Sequence, residues 1–63
     1  MDSVMAALAR CRVALGLTQQ TLASRTGYPL SSICKWERGR RTPSLRAVED
    51  IAQALGARIV VET

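Results

Sequence analysis

At 63 residues the chain has room for one small domain. Such a chain buries only about 60% of the surface its unfolded form exposes, so its stability is marginal and support from a partner chain would be unsurprising. Net charge is +4, and a 48% hydrophobic share with one Trp, one Tyr and no Phe implies a core of Leu, Ile, Val and Ala, as in compact helical domains. No run approaches the ~20 apolar residues of a membrane span, and the start, MDSVMAALARC, lacks the cationic start and long apolar run of a signal peptide. The absence of His, of clustered carboxylates and of a glycine-rich phosphate loop argues against an enzyme.

The positive charge is concentrated. Between Arg25 and Arg46 lie six basic residues (Arg25, Lys35, Arg38, Arg40, Arg41, Arg46) and one acid, Glu37. A basic stripe on a small domain fits a polyanion partner. From charge alone, a solvated charged face fits equally well. Cys11 and Cys34 form neither a disulfide framework nor a CxxC pair. No Cys/His cluster would hold a metal, and nothing implies a cofactor. This cysteine usage is that of a reduced compartment, here the cytoplasm.

The elements follow in chain order. Asp2 or Ser3 can cap a first helix reaching about Leu15, in which Val4, Leu8, Cys11 and Leu15 recur at helical spacing. Gly16 ends it, as glycine does just past a helix. Thr18 can cap a second helix with Leu22 and Ala23 facing inward, and Gly27 closes it at positive φ. A third helix starts near Pro29 or Leu30, with Pro29 suited to the first turn, and runs to about Arg38 before Gly39. Its inward pair is Ile33 and Trp36. Ser31, Lys35 and Arg38, at i, i+4 and i+7, share the opposite, exposed face. Cys34 falls on an exposed or half-exposed edge.

After a basic loop, GRRTP, Thr42 or Ser44 caps a fourth helix reaching Leu55. Leu45, Val48, Ile51, Ala52 and Leu55 form its apolar stripe, and Gly56 terminates it. The tail changes character: Ile59, Val60 and Val61 are β-branched and favour an extended strand. The expected organisation is a globular domain over residues 1–56 and a strand over residues 57–63.

These features form a recognisable set: GLTQxxLA at Gly16–Ala23, then Gly27, IxxWExG at Ile33–Gly39, PSL at Pro43–Leu45, and IAxALG at Ile51–Gly56. In their order and spacing they resemble the helix-turn-helix domain of the phage repressor and Cro-like family. The resemblance implies an all-α, compact four-helix, lambda-repressor-like fold. It also implies binding to double-stranded operator DNA, usually as a dimer. Two features depart from the family pattern: a strand-like tail where a fifth helix is common, and Pro29 where Ser, Thr or Asp usually caps the third helix.

The resemblance assigns base-edge contacts to Leu30, Ser31 and Lys35. Lys35 can donate to guanine O6 and N7, and Leu30 can touch a thymine methyl. Gln19 and Gln20 begin the second helix, where free amides and the positive dipole end attract phosphate; the resemblance assigns that contact chiefly to Gln19. Ser32, Arg38, Arg40 and Arg41 are placed to touch phosphates, which sets register without reading sequence. Arg25 and Arg46 are expected to be solvated helix charges. Arg12 and Glu37 sit on inward faces, and the family pairs these two positions; pairing avoids the cost of a lone buried charge.

A lone strand at Ile59–Val61 cannot satisfy its backbone. An antiparallel pair with the same strand of a second chain would bury it around a two-fold axis and space the two recognition helices for successive major grooves. The leading expectation is a sequence-specific regulator, a repressor that binds a palindromic operator as a homodimer. The alternative is an antitoxin, with a toxin as protein partner, that also binds its own operator.

Overall fold

The structure is a computed structural model and describes residues 3–59. Four helices occupy them: α1 (Val4–Ala14), α2 (Gln19–Thr26), α3 (Leu30–Glu37) and α4 (Leu45–Ala54). Three of the helix starts are capped by a hydroxyl. Ser3 Oγ accepts from the Ala6 N–H at 3.0 Å, Thr18 Oγ1 from the Thr21 N–H at 3.0 Å, and Ser44 Oγ from the Ala47 N–H at 3.1 Å. Each bond satisfies one of the amides a helix leaves orphaned. Pro29 stands at the cap position of α3 without a side-chain bond. Its carbonyl accepts instead from the Ser32 and Ile33 amides at 3.0 and 3.1 Å.

Between α2 and α3 the chain turns in three residues. Gly27 makes the turn at φ 81°, where an L side chain clashes with its own backbone, while its N–H still reaches Ala23 O at 2.9 Å. Tyr28 then anchors the turn to the fourth helix. Its hydroxyl donates to Asp50 Oδ2 at 2.6 Å, and its ring meets Trp36 edge-on, 5.4 Å between centroids at 75°.

The core lies where these elements converge. Leu22 of α2, Ile33 of α3 and Ile51 of α4 are each 0% exposed, and Met5, Leu8, Ala23, Ala52 and Leu55 surround them. Leu17, Tyr28, Trp36 and Val48 pack against this cluster from the rim. α1 and α2 each pack on both α3 and α4, so α3 has a covered inner side and a bare outer one.

Three expectations need correction. On α1 the buried residues are Met5 and Leu8, with Arg12 half-buried, whereas Val4, Cys11 and Leu15 are exposed. α1 is apolar on nearly every side, so spacing alone could not identify its inner stripe. Leu45 lies outside the α4 stripe, at 70% exposed, because it occupies the first residue of the helix, beyond the reach of its neighbours. The tail strand is absent where the structure describes it: residues 57–59 have no regular structure and Ile59 is exposed. A single strand has no neighbour for its N–H and C=O groups. Val60 and Val61 lie outside the described residues.

Burial at these positions predicts opposite outcomes for two truncations on one helix. Ile51→Ala should cost about 2–5 kcal/mol through lost contacts and a cavity, a large part of the stability of a domain this size. Leu45→Ala should stay within about 0.5 kcal/mol. Denaturant unfolding of the two variants checks this directly.

Candidate nucleic-acid interface

The outer side of α3 follows from how its inner side is used. Ile33 faces the core, and Trp36 and Glu37 are half-buried beside it. Ser31, Lys35 and Arg38 emerge on the opposite side, all exposed, with Leu30 at the N-terminal end 39% exposed. Ser32 is half-buried. Gly39, at φ 72°, then turns the chain outward, leaving Arg40 and Arg41 exposed. Among the described residues Lys35, Arg38, Arg40 and Arg41 take part in no ion pair and no side-chain hydrogen bond, so their charge is available to a partner. Arg46 differs: its Nε lies 3.5 Å from Asp50 Oδ1, one turn along α4.

Behind this edge lies one dense polar cluster. Arg12 Nε donates to Glu37 Oε2 at 2.8 Å, and Arg12 Nη2 to Glu37 Oε1 at 2.9 Å. This two-point contact gives geometry as well as energy. Arg12 Nη1 also donates to the Leu17 carbonyl at 2.7 Å. Only 14% of the Arg12 side chain and 7% of the Glu37 side chain are exposed, so both are largely out of water. The cluster therefore joins α1 and the α1–α2 loop to the end of α3.

Gln19 belongs to the same cluster, which sequence reasoning missed. Its Nε2 donates to Glu37 Oε1 at 2.9 Å and its Oε1 accepts from Cys34 Sγ at 3.1 Å. The residue matched to a phosphate contact thus has its amide engaged inside the fold, although an amide nitrogen carries two protons and Glu37 takes one. Gln20, its neighbour, is exposed. No spacing rule links positions 15 and 18 residues apart, so the sequence carried no signal for these bonds. The Tyr28–Asp50 bond went unread for the same reason.

The electrostatics follow from this geometry. Burial pushes the Glu37 carboxyl up, but hydrogen bonds from Arg12 and Gln19, together with the charge of Arg12, outweigh it and hold the group below its ordinary value of 4.5. The hydrogen bond to Glu37 raises Arg12 above its ordinary value against the opposing effect of burial. Accepting the phenol proton, Asp50 raises Tyr28, with desolvation adding to the shift.

A depressed Glu37 means that the folded chain binds this proton less tightly than the unfolded chain. The resulting stabilisation is present above the ordinary pKa and is lost as pH falls through the folded value. Glu37→Gln should therefore cost about 1.5–3 kcal/mol at neutral pH, the range for hydrogen bonds to charged groups. It should also flatten the loss of stability on acidification. Thermal melts of both proteins across the acid range measure the effect. Replacing Arg12 and Glu37 together by Met and Leu should recover much of the loss, because no unpaired charge remains.

Comparison with known proteins bears on this geometry. The helix-turn-helix family HTH_3 matches residues 8–60. The chain is 42% identical over 48 residues to the uncharacterized HTH-type transcriptional regulator y4dJ of Sinorhizobium fredii, covering 76% of this chain and 62% of that protein. It is 49% identical over 45 residues to an uncharacterized HTH-type transcriptional regulator of Methanothermobacter thermautotrophicus, covering 71% of this chain and 65% of that protein. It is 48% identical over 48 residues to an uncharacterized transcriptional regulator in the ATPase CF(0) region of Rhodospirillum rubrum, covering 76% and 44%. The chain thus spans less than two thirds of the length of these relatives. No solved structure gives a significant match. With the family match running from within α1 to beyond the end of α4, this chain belongs to the HTH_3 helix-turn-helix family.

Proposed function

We propose that the chain is a DNA-binding transcriptional regulator that places α3 in the major groove of duplex DNA and acts as a repressor by occupying its operator. The observation that carries this reading is the two-sidedness of α3. Ile33 and Glu37 fix one side to the body, while Ser31 and Lys35 stand clear on the other, with Leu30 exposed at the N-terminal end and Arg38, Arg40 and Arg41 unpaired among the described residues. A short helix so mounted fits a groove that admits one helix. The relatives' names as transcriptional regulators support the regulatory role, and the cytoplasm is its proposed place of action.

Within this reading, Lys35 reads a base edge, Leu30 makes apolar contact with a thymine methyl, and Ser31 accepts either partner. Arg38, Arg40, Arg41 and Ser32 hold phosphates, with the start of α2 at Gln19. The proposed unit is a homodimer on a palindromic operator, joined by the tail from Ile59 to Val61. Ile59 supports this, since it is apolar, exposed and free of regular structure in the single chain.

Selection of bound sites from random duplexes, followed by salt titration, tests the central reading. Lys35→Ala should weaken the selected site by about 1–3 kcal/mol and relax preference at one base pair, whereas Arg40→Ala and Arg41→Ala should weaken all sequences alike, each lowering the salt slope by about one. Affinity insensitive to salt would contradict the phosphate contacts. Deleting residues 58–63 should weaken dimerisation and operator affinity together in sedimentation and binding assays; a truncated chain that remains a dimer would rule out the tail.

A further inference from the structure

We propose that Cys34 is a positioning residue for DNA binding: with Glu37 it locks the amide of Gln19, so that the phosphate grip at the start of α2 is set by α3. The proposal rests on the DNA-binding reading above and adds a role that neither charge nor spacing assigns to Cys34.

Cys34 and Glu37 lie three residues apart on α3 and therefore share a side of that helix. That side adjoins the first residue of α2, Gln19. One amide group is gripped at both ends, its nitrogen by the Glu37 carboxylate at 2.9 Å and its oxygen by the Cys34 thiol at 3.1 Å. The two bonds agree on the orientation. A carboxylate only accepts, so it requires the NH₂ end of the amide; the thiol supplies the donor that the oxygen then needs. A flipped amide would set its oxygen against the carboxylate and its NH₂ against an S–H. Gln19 is half-buried, as is Cys34, so water competes only partly for these atoms.

The second proton of the Gln19 amide then points in a direction fixed by α3, at the end of α2 where orphan backbone N–H groups already favour a phosphate oxygen. Cys34 also neighbours Ser31, Lys35 and Arg38 on the helix surface. The residue that steadies the phosphate contact is thus flanked by Ser31 and Lys35, which face the bases, and by Arg38, which holds a phosphate, so grip and readout are coupled in one rigid piece. If Cys34 lost its donor, Gln19 would keep one anchor and sample other rotamers.

The test compares wild type with Cys34→Ala, Cys34→Ser and Gln19→Ala, using the full chain and the strongest duplex recovered from random-sequence selection. Serine keeps a donor; alanine does not. Two quantities are read: the affinity at one fixed salt concentration, and the NMR signals of the Gln19 side-chain amide in the free protein. Gln19→Ala should weaken binding roughly 2- to 10-fold, the range of one uncharged hydrogen bond, with the salt slope unchanged because no charge is removed, and Cys34→Ala should lose part of the same affinity. Adding Cys34→Ala to Gln19→Ala should bring no further loss. Cys34→Ser should keep the wild-type affinity and a single, well-dispersed amide pair, whereas Cys34→Ala should collapse that pair toward the position of a free glutamine. An unchanged affinity and amide signal in Cys34→Ala would overturn the proposal, as would a Cys34→Ser variant as impaired as Cys34→Ala. If wild type binds no duplex at any salt, the functional reading itself fails, while the amide signals still report whether Cys34 fixes Gln19.

Discussion

The carboxylate of Glu37 is the constraint on which the rest of the structure depends. A charge on the inward side of a recognition-type helix is costly unless every oxygen is satisfied. Here Arg12 reaches it with two nitrogens and Gln19 with a third. Each donor comes from a different part of the chain, Arg12 from the last turn of α1 and Gln19 from the first residue of α2. Arg12 extends the connection to the Leu17 carbonyl. The end of α3 is therefore fixed relative to both preceding helices by directional bonds, while Ile33 supplies the non-directional attachment to the core.

Fixing α3 in this way is what leaves its far side bare. Eight residues are too few to form a stable helix alone, so α3 depends on tertiary packing for its existence. Its inner residues are committed to Leu22, Ile51 and the Glu37 cluster, and its outer residues Ser31 and Lys35 are exposed. The turn that aims the helix is also tied down, through Gly27 for backbone geometry and through the Tyr28–Asp50 bond to α4. The arrangement holds the basic edge of Lys35, Arg38, Arg40 and Arg41 at one attitude, so a partner pays little ordering cost in the backbone beneath it.

Much of this was legible in the chain, and the limits have physical causes. Helix starts at Ser3, Thr18 and Ser44 and stops at the glycines follow from local chemistry, which acts within a few residues and can be read from short spacings. The outward placement of Ser31, Lys35 and Arg38 followed from helical periodicity for the same reason. The inner face of α1 was misread because an almost uniformly apolar helix offers no contrast, and Leu45 because a stripe does not say where its neighbours end. The Gln19–Cys34 and Tyr28–Asp50 bonds were not legible at all, since they depend on how helices are juxtaposed across 15 and 22 residues of sequence. The strand expectation at Ile59 weighed β propensity, which describes a pleated, half-buried surface, where the single chain provides no such surface.

The central claim is that the outer edge of α3, mounted on the Glu37 cluster, is the surface that meets DNA. The most direct measurement is an NMR titration of the full chain with its selected duplex, following each backbone and side-chain amide. The account predicts shift changes concentrated at Leu30, Ser31, Lys35, Arg38, Arg40, Arg41 and the start of α2, with the core signals of Leu22, Ile33 and Ile51 little moved. Changes centred on the exposed side of α1, around Val13, with α3 unaffected, would contradict it.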